Sequence, residues 1–219
     1  PSILEPIFVD HPLWPMLKEH LEKGVRWPLE PIGEDERKAD IEEVIEYGNH
    51  KSAEKSSEEI HKACVKEIER GWQLPLPIGK VTEIPGAVVA PMGYPTQYTI
   101  DEEGNRILKG RTTHDQSANI GHRGTGVKRS VNDRVISKHL TPLQYGHTAS
   151  RHMHRLVAMR SKYPGVKLCQ AKLDYKSAYR RMHLHGETAV QCTTTMKGIS
   201  PDRSEPRALL SLRQTFGGS

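Results

Sequence analysis

The sequence predicts an α+β chain, with helices in the first third and short strands after it. Three observations carry that expectation. Up to about residue 70, apolar residues recur at three- and four-residue spacing. From Ala87 the period shortens to the alternation of strands. Between the two lies LPLPIGKVTEIPG, whose prolines read as a loop.

The helices follow from their faces and their stops. Trp14, Leu17, Leu21 and Val25 share one side, and Gly24 ends that helix. A second runs from Asp35 to Tyr47 with Ile41, Val44 and Ile45 inward, and Gly48-Asn49 stops it. Ser56-Ser57-Glu58-Glu59 opens a third, on which Ile60, Ala63, Cys64 and Ile68 form the apolar side before a Gly71 cap. The strands begin with AVVAPMG and PTQYTI. QYTIDEEGNRILKGR reads as a hairpin around the turn Asp101-Glu102-Glu103-Gly104-Asn105. A glycine-rich loop, Ile120 to Val127, lacks the spacing of a Walker phosphate loop.

The basic stretch from His147 to Lys162 predicts a helix, which Tyr163-Pro164-Gly165 ends. Met153, Leu156, Val157 and Arg160 fall on one side, and Arg151, His154 and Arg155 on another. Two readings stand: a helix laid against phosphates, with Arg151 and Arg155 as contacts, or a solvated face over a core-facing stripe. The apolar run from Val166 to Ala171 then predicts a strand leading to Asp174.

Charge is distributed steeply. Up to Asn105 there are 11 Lys/Arg against 21 Asp/Glu, net −10, and beyond it 21 against 6, net +15. A basic second half of this kind points to a polyanion, with two mutually attracting lobes as the plainer reading. Mean hydropathy is −0.64 and there are twelve aromatics among 219 residues, which predicts a thin core. Cys64, Cys169 and Cys192 are scattered and odd in number. They exclude a disulfide framework and a zinc ribbon and fit reduced thiols inside a cell. No apolar run reaches the length of a membrane span, and the first residues lack the pattern of a signal peptide. The expected setting is therefore intracellular, nuclear or cytoplasmic, without a membrane partner.

Several chemistries lack support. His152 and His154 point apart on a helix and cannot share one ion. His183 and His185 share a strand face but have no third ligand at convincing spacing. No G-x-S-x-G or similar nucleophile signature occurs. A carboxylate at a strand end, as at Asp174, is most simply a turn cap, yet with a neighbouring backbone carbonyl it also suits a hard divalent cation.

Four segments in order weigh against the simpler reading of Asp174. KLDYKSAY carries an aspartate four residues before a small residue and five before an aromatic. GNRILKGRTTHDQS leads a basic hairpin arm into Arg111-x-x-x-Asp115. SVNDRV holds Asn132, and RQTFGGS carries a Phe-Gly turn. Together, over roughly residues 85 to 219, they resemble the reverse transcriptases of mobile genetic elements.

That resemblance implies a right-hand polymerase fragment: a helical N-terminal region (1–80), a fingers-like subdomain (81–165) and an incomplete palm (166–219). It implies RNA-directed DNA synthesis by nucleotidyl transfer, with primer-template and dNTP as partners and Mg²⁺ as cofactor. Asp174 would be the catalytic metal ligand, with the carbonyl of Tyr175 beside it. Lys109 and Arg111 would hold the triphosphate, Tyr179 would block a 2′-hydroxyl, and Gly217 would let the backbone approach the new base pair. Asp115 would brace the fingers. The family's Tyr-x-Asp-Asp is missing, so the chain alone is expected to be inactive and its reading frame to continue into that motif. Lys176, two residues from Asp174, would share a strand face with it and could neutralise it. The alternative is a non-catalytic nucleic-acid-binding relic, or a structural protein, that uses the basic half.

Overall fold

The computed structural model describes residues 1–101, 103–120, 130–140, 146–171, 177–201 and 206–215. The chain is mixed α and β, as expected. It forms two compact units, one of residues 1–136 with 177–219 and the other of residues 137–176.

In the larger unit five helices come first: α1 (Glu5–Phe8), α2 (Trp14–Lys23), α3 (Glu34–Tyr47), α4 (Lys51–Lys55) and α5 (Ser57–Glu69). Glycine punctuation places their ends. Gly24 closes α2 at φ 86°, and a Cβ there would lie 2.5 Å from the carbonyl carbon of Leu184. That close approach lets Val25 pair with Leu184, through Val25 N–H to the His183 carbonyl (2.8 Å) and His185 N–H to the Val25 carbonyl (3.0 Å). Glu34, Asp35 and Glu36 occupy the first turn of α3, where carboxylates complement the helix dipole.

Of the face expected on α2, Trp14 is buried and stacks on Phe8, whereas Leu17 and Leu21 are exposed. Spacing defines a stripe, but not whether a neighbour covers it. The short helices α1 and α4 were not anticipated, being too brief to show a period.

The strands are β1 (Gln73–Pro77), β2 (Val89–Ala90), β3 (Met92–Gly93), β4 (Thr96–Ile100), β5 (Arg106–Gly110), β6 (Thr113–His114), β7 (Thr193–Thr195) and β8 (Arg207–Ser211). The stretch expected to be a proline-rich loop instead gives β1 and a 3-10 helix over Ile78–Glu83. Proline cannot donate to a ladder, so such a strand belongs at a sheet edge. β1 occupies that place in the order β1-β8-β7-β2. It runs antiparallel to β8 with Gln73 opposite Ser211, β8 runs antiparallel to β7, and β2 lies parallel to β7.

This sheet is buried on both sides. Leu209 packs with Ile60, Cys64, Met92 and Met196, while Ala208 packs with Ile41, Val44, Val81 and Val89. Leu210 joins Leu184, Ala189 and Cys192. Alternation along β8 sends neighbours to opposite faces, so α4 and α5 contribute to one layer and α3 to the other. Arg37, 1% exposed, closes the α3 side by donating to the carbonyls of Ala87 (2.9 Å) and Thr82 (2.8 Å).

The sheet also interleaves the three expected segments. β1 comes from residues 1–80, β2 from 81–165, and β7 and β8 from 166–219, so those boundaries do not mark compact units. A ladder is closed by whichever strands share its hydrogen bonds, however far apart in sequence.

In the smaller unit the basic helix is α6 (Thr148–Lys162). None of its residues is buried, and Met153 and Val157 are 58% and 63% exposed. The core-facing stripe is therefore not found within this unit. Residues 166–171 form no strand, because a strand needs a ladder partner and none pairs with them among the described residues. In the larger unit, α7 (Gly186–Ala189) follows His185, whose side chain accepts from the Glu187 N–H. Of the expected glycine-rich loop (Ile120 to Val127), residues 121–127 lie outside the described residues.

Candidate functional site

The site is built where the β4–β5 hairpin returns to the sheet. The hairpin register sets Gln97 opposite Lys109 and Tyr98 opposite Leu108. Lys109 is exposed on this ribbon. The guanidinium of Arg106 lies over the Tyr98 ring at 3.8 Å. Arg111 follows β5 directly, anchored by its N–H to the Pro95 carbonyl (3.1 Å). β6 then pairs His114 with Met92 of β3, which turns His114 into the interior, 3% exposed.

Asp115 braces this segment against α4. Its Oδ2 lies 2.8 Å from His50 Nε2, and its Oδ1 accepts from the Ser117 N–H (3.2 Å). With Nε2–H donating to the carboxylate, His50 Nδ1 accepts from the Tyr47 hydroxyl at 3.0 Å. Asn132 joins the same strut. Its side-chain amide donates to Ser117 Oγ (2.7 Å), and its backbone N–H donates to the Gln116 carbonyl (3.1 Å).

Arg180 is the hub. It belongs to the 3-10 turn Tyr179–Arg181, beside the 55% exposed Tyr179. Its Nε and Nη2 donate to the two carboxylate oxygens of Glu67 on α5, at 3.0 and 2.6 Å. Nη2 also reaches His114 Nε2 at 3.3 Å, and Nη1 the carbonyls of Arg213 and Gln214, each at 3.4 Å. Arginine can only donate, so His114 Nε2 accepts and the neutral ring carries its proton on Nδ1. Burial, then the nearby Arg180 charge, holds the His114 pKa down at about 3. Burial pushes the Glu67 carboxyl above its usual range even though Arg180 pulls it down. Desolvation thus outweighs the partner's charge, although the bidentate contact is well made. Burial also drives the Cys64 thiol up to about 12, which keeps it protonated.

These groups surround a cavity of about 290 Å³ lined by Cys64, Glu67, Gln73, Arg111, His114 and Arg180 among others. Arg111 stands exposed at it, and its side chain makes no hydrogen bond or ion pair among the described residues. Of the residues expected to form the site, the structure therefore sets Arg111 and the turn that begins with Tyr179 on one cavity, through Arg180. Lys109 lies on the hairpin arm that leads into Arg111. Arg151 and Arg155 are on α6 in the other unit, exposed and bordering an open groove with His147 and His154. Asp174, Tyr175, Lys176 and Gly217 lie outside the described residues.

Sequence reasoning missed Glu67, Gln73, His114 and the role of Arg180. One signal was present: Glu67 sits one turn from Cys64 on the apolar side of α5, and a carboxylate there calls for a cation. Gln73 and His114 had no local signal.

Among the described residues no group of three or more His, Cys, Asp or Glu is arranged to hold a metal ion. No helix among them is long and apolar enough to cross a membrane. No protein-family model, curated protein or solved structure matches the chain.

Proposed function

We propose that this chain is the fingers and first palm segment of a retroelement reverse transcriptase, with the fold of a right-hand polymerase and RNA-directed DNA synthesis as the activity of the complete protein. One observation supports the reading above the rest. Described parts of the segments that resemble the family, far apart in sequence, meet in one compact unit: Arg111 to Asp115, Asn132, the turn that begins with Tyr179 and Arg213 to Thr215.

In this reading Lys109 supplies a mobile point charge and Arg111 a planar fork for the triphosphate of a dNTP. Tyr179 screens the sugar against a 2′-hydroxyl, and Gly217 admits the nascent base pair. Asp174, with the Tyr175 carbonyl, would hold Mg²⁺, which activates the primer hydroxyl and offsets charge on the leaving phosphates. Arg151 and Arg155 contact the primer-template backbone. No residue of α6 is buried, which also suits the second reading, a nucleic-acid-binding protein without catalysis.

The deciding experiment is primer extension by the product of the complete reading frame, wild type against Asp174→Asn. Synthesis should fall to background in the variant while duplex affinity is kept. Equal synthesis by both proteins refutes the assignment of Asp174. No synthesis by either, with binding intact, favours the second reading.

A further inference from the structure

The helices α1 and α2 stand outside the core of the larger unit. The three apolar clusters that pack on its sheet contain no residue of either helix. Local contacts hold them instead. Glu5 meets Lys18 at 2.7 Å, Phe8 stacks on Trp14 with ring centroids 6.0 Å apart, and the turn at Gly24 leads into the Val25–Leu184 bridge. Helices of four and ten residues are too short to persist alone in water, and helical stability comes chiefly from covering an apolar face.

That face is mostly bare. On α2 only Trp14 is buried. Leu13, Leu17 and Leu21 follow one another at four-residue steps with Met16 beside them, so they share a side. Ile3 and Ile7 add to the apolar surface from α1, which the Glu5 and Phe8 contacts lay against α2. All six are between 40% and 85% exposed. At roughly 200 Å² for a bare residue of this size, they leave on the order of 600 Å² uncovered. Patches that large mark interaction sites, and a standard interface takes roughly 600–1,000 Å² from each partner.

Charge decides between occupants. Residues 1–24 hold two lysines and four carboxylates, and both lysines are paired, Lys18 with Glu5 and Lys23 with Glu19. Such a surface offers little to a polyanion. Glu19 and Glu22 project from the other side of α2 than the three leucines. A two-fold axis through the leucines therefore brings apolar groups together and keeps like charges apart. The acidic α3 and the basic α6 would repel their own copies.

We propose that α1 and α2 form a homodimer interface, in which α2 packs on α2 of a second copy with Leu13, Leu17 and Leu21 at the centre. This surface is independent of the cavity beside Arg180 and of any polymerase activity.

The test is sedimentation velocity of the chain from low to high micromolar concentration, in dilute buffer and in molar salt. The wild type should dimerise in both, because apolar contacts are not screened. The double variant Leu17→Glu with Leu21→Glu should associate about a hundredfold more weakly or worse, with the circular dichroism of a folded chain. A wild type that stays monomeric at high micromolar concentration overturns the proposal. A dimer that the double variant leaves intact does the same. So does one that dissolves in salt, which reports the acidic half of one copy on the basic half of another. Should the double variant fail to fold, hydrogen exchange of the wild type decides. Amides of α2 must exchange more slowly at high than at low concentration, and equal rates overturn the proposal.

Discussion

Arg180 and Glu67, separated by 113 residues, form a bidentate ion pair at 3.0 and 2.6 Å with side chains 12% and 22% exposed. The pair joins the N-terminal helices to the turn that carries Tyr179. The helical region is thus part of the body that shapes the candidate site.

Removing one partner of a largely buried pair strands the other charge. Glu67→Leu should cost about 3 kcal/mol in urea unfolding. Adding Arg180→Met, which replaces the pair by apolar groups, should recover most of the loss. An unaltered midpoint in the single variant would show that solvent already neutralises Arg180.

His114 gives the chain an acid-side weakness. Its folded pKa of about 3 lies below the ordinary value near 6.5, so the unfolded state binds a proton that the folded state refuses. The contribution of the neutral ring is complete above about pH 6.5 and is lost as pH falls toward 3, at up to about 1.4 kcal/mol per pH unit. Unfolding midpoints of wild type and His114→Phe, compared at neutral pH and at mildly acid pH, should converge or cross as pH falls. Parallel curves would rule the titration out.

The three thiols should separate by reactivity. Cys64 and Cys192 are buried and held near 12 by desolvation, whereas Cys169 is exposed. A thiol-reactive dye should label one cysteine quickly in the folded chain and all three in denaturant. Cys169→Ser should remove the fast phase, and persistent fast labelling would place a second thiol at the surface.

Arg111→Ala should separate binding from stability. The side chain is exposed and has no partner among the described residues, so unfolding should change by no more than about 0.5 kcal/mol. Affinity for a primer-template with dNTP should fall, and the salt dependence of log K should flatten by about one counterion. Unchanged affinity and slope would remove Arg111 from the phosphate contacts.

Part of this site was legible in the sequence. The β4–β5 hairpin, Lys109 and Arg111 at its end, and the bracing role of Asp115 follow from local pattern and motif order. The interior of the cavity was not legible. Nothing near Gln73 says that a proline-flanked glutamine turns inward, and nothing near His114 says that one residue after Thr113 the chain enters the core.

The sequence by itself determined the helices α2, α3 and α5 with their glycine stops, the α6 helix, the hairpin and the uneven distribution of charge. Each depends on residues within a few positions of one another, through a turn's φ, a helical repeat or a strand's alternation. Tertiary structure alone decided that Leu74 to Pro77 becomes an edge strand, that Leu17 and Leu21 stay uncovered, and that Arg180 chooses Glu67. A ladder partner, a covering neighbour and a counter-charge are supplied by distant chain, and local sequence carries no record of which segment will supply them.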